Sequence, residues 1–420
     1  MKRRLWLVAF LATATLGAPS AFPSGDDLLD RILARAAQNL RGLPDYTCLQ
    51  TIERSERSAP SRPFELIDRV RLEVAFVDNK ELFGWPGVGK FEETDIGDLV
   101  QNGAIGSGNF ALHAHAVFLS RGPSFTYSGE EVRDGRPVVR YNYRLPRAES
   151  GYLLRRPPRE ALVGHHGSFW VDAATLDLVR LEVIADDIPP ELQISEAADN
   201  LSYKSVRIGA GDFLLPSSSE LLLTDTGGAS SRNLTQFGGC RQFSGQAVLS
   251  FDGFDDVEPG AEAPRTKRII VPPGLDVDLE LDTEIDTLTA AVGDAVNLRV
   301  AREVKSSGVV LVPGGAIVGA RVSVLRRGVQ PYPHYAIALR PYSLDFGGAH
   351  GDFAARLTAL GTLAGYTTYN QVPPAIPSAR TRQSLFLGSP VLQSLEPGFF
   401  AVTGLRVRLP RGFRTSWKTE

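Results

Sequence analysis

The sequence predicts a mainly β protein built from antiparallel sheet in two regions, and three observations carry that reading. Glycine and proline are abundant (41 and 28 of 420 residues) while methionine occurs once, the composition of a chain that turns often. Several runs alternate apolar and charged side chains with a period of two, as strands with one solvated face require. Between the two regions, residues 251–267 (FDGFDDVEPGAEAPRTK) carry acids and prolines without periodicity and read as a linker.

The elements follow in chain order. Residues 1–4 are basic, residues 5–16 (LWLVAFLATATL) are apolar and uncharged, and small residues and prolines follow. That is the pattern of a secretory signal peptide, assigned to residues 1–24. No cysteine follows it for lipidation, and no later segment reaches about 20 apolar residues. The expected location is periplasmic or otherwise extracytoplasmic, with no transmembrane anchor after signal removal. Residues 26–41 space Leu, Ile and Ala as an amphipathic helix, with Asp26 and Asp27 at its start and Gly42 and Pro44 behind it.

From Tyr46 the period changes to two. Val70, Leu72, Val74 and Phe76 share a face against Arg69, Arg71 and Glu73. Val139, Tyr141, Tyr143 and Leu145 oppose Arg140, Asn142 and Arg144, and Val179, Leu181 and Val183 oppose Arg180 and Glu182. Short helices are expected near 92–101 and 109–119, and strands near 203–208, 213–224 and 231–242. A second β region runs over 268–420, with short strands around Val309, Ile317 and Val322, a loop-like stretch over 365–382 and a closing strand over 399–408. The N-terminal domain is thus placed at 25–250.

Charge and cysteines narrow the function classes. Lys and Arg number 45 against 48 Asp and Glu, a net charge of −3, so no global field steers the chain onto nucleic acid. The two cysteines, Cys48 and Cys240, read as one disulfide in an oxidising compartment, with two separately buried thiols as the alternative.

Motifs for chemistry are sparse. The stretch ELFGWPGVGKFEET (81–94) is nearly a phosphate-binding loop, but Phe91 stands where Ser or Thr would hold magnesium and Pro86 removes a backbone donor, so it reads as a turn. His165 and His166 are adjacent, so on a strand they point apart, and they read as a loop or strand entrance. His113 and His115 fall about 200° apart on a helix. Neither pair has a third ligand placed by spacing, so no metal and no cofactor is expected. No G-x-S-x-G, H-E-x-x-H or strand-following G-x-G-x-x-G occurs. The basic group Arg144, Arg147, Arg155, Arg156 and Arg159 is better explained as a solvated sheet face than as an anionic-lipid contact.

The order of parts in the first half resembles the LolA/LolB-type lipoprotein carriers. The residues that carry the likeness are LLDRILARAAQNLRGLPDYTCLQTIERSER, a helix followed by the first strand, FWVDAATLDLVRLEV (169–183), an aromatic–aspartate hairpin, and SYKSVRIGAGDFLLPSSSEL (202–221), a late hairpin. The resemblance implies a curved antiparallel half-barrel around an apolar cavity closed by helices. The second half faintly resembles the C-terminal β-barrel of TrbI-type conjugation pore proteins through VPPGLDVDLELDTEIDTLTAAVGDAVNLRV and VVLVPGGAIVGARV, and implies a smaller β-barrel or sandwich.

The expectation is a non-enzymatic envelope protein binding a lipid or a lipoprotein acyl chain. Its pocket would be lined by Val70, Leu72, Val74, Phe76, Val139, Tyr141, Tyr143, Val179, Leu181 and Val183. One alternative is an envelope scaffold with a filled core, meeting envelope proteins through its C-terminal domain. The other is an enzyme with an unrecognised site, for which clustered ionisable groups in a cleft would speak.

Overall fold

The computed structural model of the protein describes residues 25–78, 80–87, 91, 96–100, 103–243, 267–329, 333–370 and 383–420. The signal-peptide reading (1–24), residues 88–90 and 92–94 of the near phosphate loop, residues 92–95 and 101 of the helix expected near 92–101, and residues 251–266 of the linker reading lie outside them.

The first half is one sheet of eleven strands with helices on its concave side. Helix α1 spans Gly25–Arg41 and is followed by β1 (Tyr46–Arg57), β2 (Glu65–Val77) and β3 (Lys80–Gly84). Two short helices, α2 (Ile96–Leu99) and α3 (Leu112–Phe118), precede β4 (Ser124–Arg133) and β5 (Arg136–Leu145). Then come α4 (Arg147–Ser150), β6 (Tyr152–Arg156), β7 (Arg159–Asp172), β8 (Leu178–Asp186), β9 (Ile194–Ile208), β10 (Gly211–Asp225) and β11 (Ser230–Gln242). The spatial order is β3-β2-β1-β11-β10-β9-β8-β7-β5-β4, with β6 on β7.

Helix α1 buries Ile32 and Ala36 against this sheet, with Leu28, Leu29, Leu33 and Leu40 beside them, the stripe that i, i+4 spacing produces. Its polar side is clamped. Arg35 Nε and Asn39 Nδ2 each donate to Asp177 Oδ1 at 2.8 Å, in the turn between β7 and β8. Burial opposes ionisation of Asp177, but these two donors outweigh it and hold the carboxyl below its ordinary value.

Two alternations differ from the sequence reading. Val171 pairs with Leu178 and Trp170 with Arg180, so Val179 is the extra residue of a β-bulge. Leu178, Leu181 and Val183 therefore form the buried row, and Val179 is only half-buried. The face of β2 that carries Arg69 and Arg71 is not simply solvated, because it meets the second half of the chain.

That second half is built around a mixed sheet of eleven strands. Nine form its path, Ala355–Leu360, Arg414–Thr419, Asp276–Leu281, Ala295–Val300, Ile317–Gly328, His334–Phe346, Phe399–Thr403, Gln383–Leu387 and Tyr366–Tyr369, while Ala349–Asp352 pairs with His334–Phe346 off the path and carries Lys267–Arg268. Phe399–Thr403 is not the closing strand: Arg414–Thr419 follows and inserts between Ala355–Leu360 and Asp276–Leu281. Its Trp417 is fully buried and donates to Thr415 Oγ1 at 2.8 Å. The loop-like reading of 365–382 contains the strand Tyr366–Tyr369, and residues 371–382 lie outside the described residues.

Backbone pairing joins the two halves. Val292 N–H donates to Arg69 O and Arg71 N–H donates to Val292 O, both at 2.8 Å, forming a parallel bridge between Val70 and Val292. Arg71 pairs with Asp294, and Arg69 donates to Leu288 O. Arg321 donates to Gly293 O at 2.6 Å and lies over the Trp85 ring at 5.5 Å. Gly293 has φ +102°, and a Cβ there would sit 2.2 Å from Arg71 O. Gly293→Ala is therefore expected to cost about 3 kcal/mol through strain and clash at the interface. With a protease site inserted within residues 251–266, the cut halves of the parent should co-elute in size exclusion and those of Gly293→Ala should separate. Equal behaviour of the two would contradict this account.

Candidate functional site

The concave face is divided into a packed part and an open part. In the packed part, Val139, Tyr141, Tyr143, Leu181 and Val183 meet Ile32 of α1 and Val117 and Phe118 of α3. Tyr141 and Phe169 stack with ring centres 5.6 Å apart, and Phe118 meets Phe169 edge-on at 5.1 Å. Val70, Leu72, Val74 and Phe76 pack instead with Tyr46, Phe110 and Phe237. Val179 apart, the residues named for the pocket are 0–6 % exposed. They fall into two side-chain clusters, and none of them lines the large cleft described below.

Polar groups are folded into the packed part. Glu81 accepts backbone N–H bonds from Gly108, Ala111 and Leu112 at 2.7–3.2 Å, which fixes the segment entering α3. Burial raises its pKa against the pull of those donors. His113 Nε2 lies 3.8 Å from Asp199 Oδ2, too far for a hydrogen bond. Tyr143 donates its hydroxyl proton to Glu182 O at 2.9 Å, so the 3.2 Å contact with His165 Nδ1 needs the imidazole to be the donor. His165 Nε2, Asp199 Oδ1 and Tyr203 OH then stay buried without partners among the described residues. Burial pushes Asp199 up to about 7, His113 down to about 3 and His165 down to about 4.

The histidines are thus placed differently from the sequence reading. His165 and His166 sit inside β7, not at a strand entrance. They do point apart: His165 is fully buried while His166 meets Asp186 at 2.6 Å near the surface. On α3, His113 faces Asp199 and His115 packs on Phe76 at 5.0 Å. No group of three or more His, Cys, Asp or Glu converges as a metal site among the described residues. The ionisable cluster is also separate from the cleft, since its members do not line it.

The open part lies at the rim where β1, β10 and β11 end. The loop before α3 walls it off from the packed part. Asn233 donates to Ala104 O at 3.0 Å, Asn109 donates to Ser219 Oγ at 2.8 Å, and Gly106 approaches Leu221 so closely that a Cβ would lie 2.8 Å from it. Behind this wall stands a buried bidentate pair, Arg54 to Asp68 at 2.6–2.7 Å. Beyond it opens a cleft of about 1020 Å³. Its apolar walls are Leu66, Ile67, Ile194 and Leu223, and its cations are Arg57, Arg62, Arg155, Arg156, Arg326 and Arg327. A second space of about 250 Å³ shares Leu66, Ile67 and Arg327 with it and adds Leu288, Leu325, Tyr335 and Leu405. Both halves of the chain build these walls. Periodicity did not reveal the cleft, although the Arg155-Arg156 and Arg326-Arg327 doublets at strand ends were visible signals.

No family model and no curated protein matches this chain. Solved structures similar to it include a LolA superfamily protein from Nitrosomonas europaea, 12 % identical, covering 51 % of this chain and 93 % of that one with a TM-score of 0.27. A DUF1329 family protein from Desulfovibrio piger is 11 % identical over 51 % of this chain and 92 % of its own, with a TM-score of 0.28. The lipoprotein LppX of Mycobacterium tuberculosis is 12 % identical over 49 % and 94 %, with a TM-score of 0.19. Among the described residues no helix is long and apolar enough to cross a membrane.

Proposed function

We propose that the protein is a non-enzymatic, extracytoplasmic binding protein that takes an apolar or acyl-chain ligand at the open end of its half-barrel. The observation that supports this best is the 1020 Å³ cleft with Leu66, Ile67, Ile194 and Leu223 in its walls, a volume at the upper end of the usual range for small-ligand sites. Each methylene moved from water onto such walls contributes about 0.8 kcal/mol, so no polar motif is needed for affinity. On this reading the ligand sits at the rim, beside the packed residues expected to line the pocket.

The packing of those residues favours a second reading, a scaffold with a filled interior that meets envelope proteins through its C-terminal half. Titration of the full chain with a fluorescent fatty acid separates the two. Saturable binding is expected, and Leu66→Asp, which puts a charge where the two spaces meet, should weaken it by about tenfold or more. Absence of saturable binding, together with no apolar mass co-purifying in native mass spectrometry, would leave the scaffold.

A further inference from the structure

Resting on the cleft as the ligand site, we infer that the ligand is an anionic amphiphile whose phosphate-bearing head is held by arginines from both halves of the chain. The lining carries six arginines and three carboxylates, Glu56, Glu65 and Asp225, a formal charge of +3 on a protein whose total is −3. The field is therefore local, confined to one concave wall. Of the carboxylates, Asp225 is already engaged by the backbone N–H groups of Gly227 and Ala229 at 2.8 and 3.0 Å, closing the β10–β11 turn. It offers the arginines little.

The cations are also unevenly occupied. Arg155 pairs with the exposed Glu160 at 2.9 Å, and Arg156 donates to Gln193 O at 2.9 Å. Arg57 lies over the Phe64 ring at 4.6 Å. Arg62, Arg326 and Arg327 are exposed and have no side-chain ion pair or hydrogen bond among the described residues. Planar guanidinium forks on several sides of one space match an oxyanion with more than one charged oxygen better than a single carboxylate. The apolar groove past Arg327, lined by Leu288, Leu325, Tyr335 and Leu405, continues from the cationic wall. One molecule with a charged head and a greasy tail fits both.

The C-terminal half thus completes the site, with Arg326 and Arg327 at the end of its strand Ile317–Gly328. Calorimetric titration of the full chain tests this, with a short-chain phosphatidic acid, the matching phosphatidylcholine, the matching diacylglycerol and inorganic phosphate as probes. The phosphatidic acid should bind about tenfold or more tightly than the other two lipids, and added salt should narrow the gap. Arg326→Ser with Arg327→Ser should lose about tenfold for the phosphatidic acid and leave the diacylglycerol unchanged. Both side chains are exposed, so an unchanged melting temperature should confirm that the variant folds.

Equal affinity for charged and uncharged lipids, or indifference to the double substitution, would overturn the anionic head while the apolar-ligand reading stands. Inorganic phosphate binding as tightly as the lipid would overturn the amphiphile. Failure of every lipid to bind would overturn this inference and the underlying reading together.

Discussion

Cys240→Ser should lower the unfolding free energy by about 5 kcal/mol on the chain-entropy model, which gives an upper figure. Cys48 and Cys240 are bonded across a separation of 192 residues, so the unfolded chain of the variant regains a very large loop. The bond does not join one edge of the sheet to the other. Strands β1 and β11 are adjacent, third and fourth from the β3 edge, and the bond crosses a bulge between Thr47 and Leu49. It therefore pins the seam where the first strand meets the last. Cys48→Ser should cost about 1–2 kcal/mol more than Cys240→Ser, because it leaves a hydroxyl in a fully buried position among apolar side chains. Urea denaturation of both variants beside the parent measures this. A loss below about 1 kcal/mol in each would contradict the seam as a major source of stability.

Asp199→Asn should stabilise the protein at pH 8 by on the order of 3 kcal/mol, with little gain at pH 4. The side chain is surrounded by His113 from α3, Tyr152 from β6 and Tyr203 from β9, with Glu81 and Glu220 adding negative field. Unfolded, it ionises near 3.8; folded, near 7. Between those values the folded state holds the extra proton, so this group's contribution falls as pH rises and is constant above about 7. His113 and His165 act in the opposite sense. They titrate near 6.5 unfolded but near 3 and 4 folded, so their contribution is full above 6.5 and declines as pH falls.

Removing the carboxyl takes away one opposing proton, so between roughly pH 4 and 6.5 the variant's stability should rise with pH more steeply than the parent's by about 1.4 kcal/mol per pH unit. Denaturation midpoints at pH 4, 6 and 8 read the two slopes. A gap between variant and parent that is the same at all three would remove Asp199 as the cause.

Periodicity made much of the fold legible, because helix α1 and strands β2 and β5 each present one apolar row to the interior. It misplaced Val179 because a bulge inserts one residue, and alternation cannot see which strand carries the extra one. It read Arg69 and Arg71 as facing water because a charged row looks the same whether it meets solvent or the carbonyls and carboxylate of another part of the chain. Asp199 and His165 escaped because the sequence reading places neither inside a strand: β9 begins at Ile194, ahead of the strand expected near 203, and His165 reads as a strand entrance where β7 already runs from Arg159. The cleft was the least legible feature, since its arginines come from three separate stretches of chain and only the fold brings them to one rim.

The Val70–Val292 bridge bears on how the chain avoids sticking to copies of itself. Strand β3 covers the outer side of β2 only from Glu73 to Val77, and the stretch before it meets Val292 instead. The opposite rim of the sheet is guarded differently, by a register break between Tyr127 and Gly129 and by Glu130 and Glu131 on β4, the usual deterrents to edge-to-edge pairing. The β2 rim has a register break too, where Ile67 lies unpaired between Leu66 and Asp68; what differs is that Arg69 O and Arg71 N–H beyond it are capped by Val292. In the folded chain the second half therefore serves as a stopper, occupying backbone groups of this flank with which a neighbouring chain could otherwise pair.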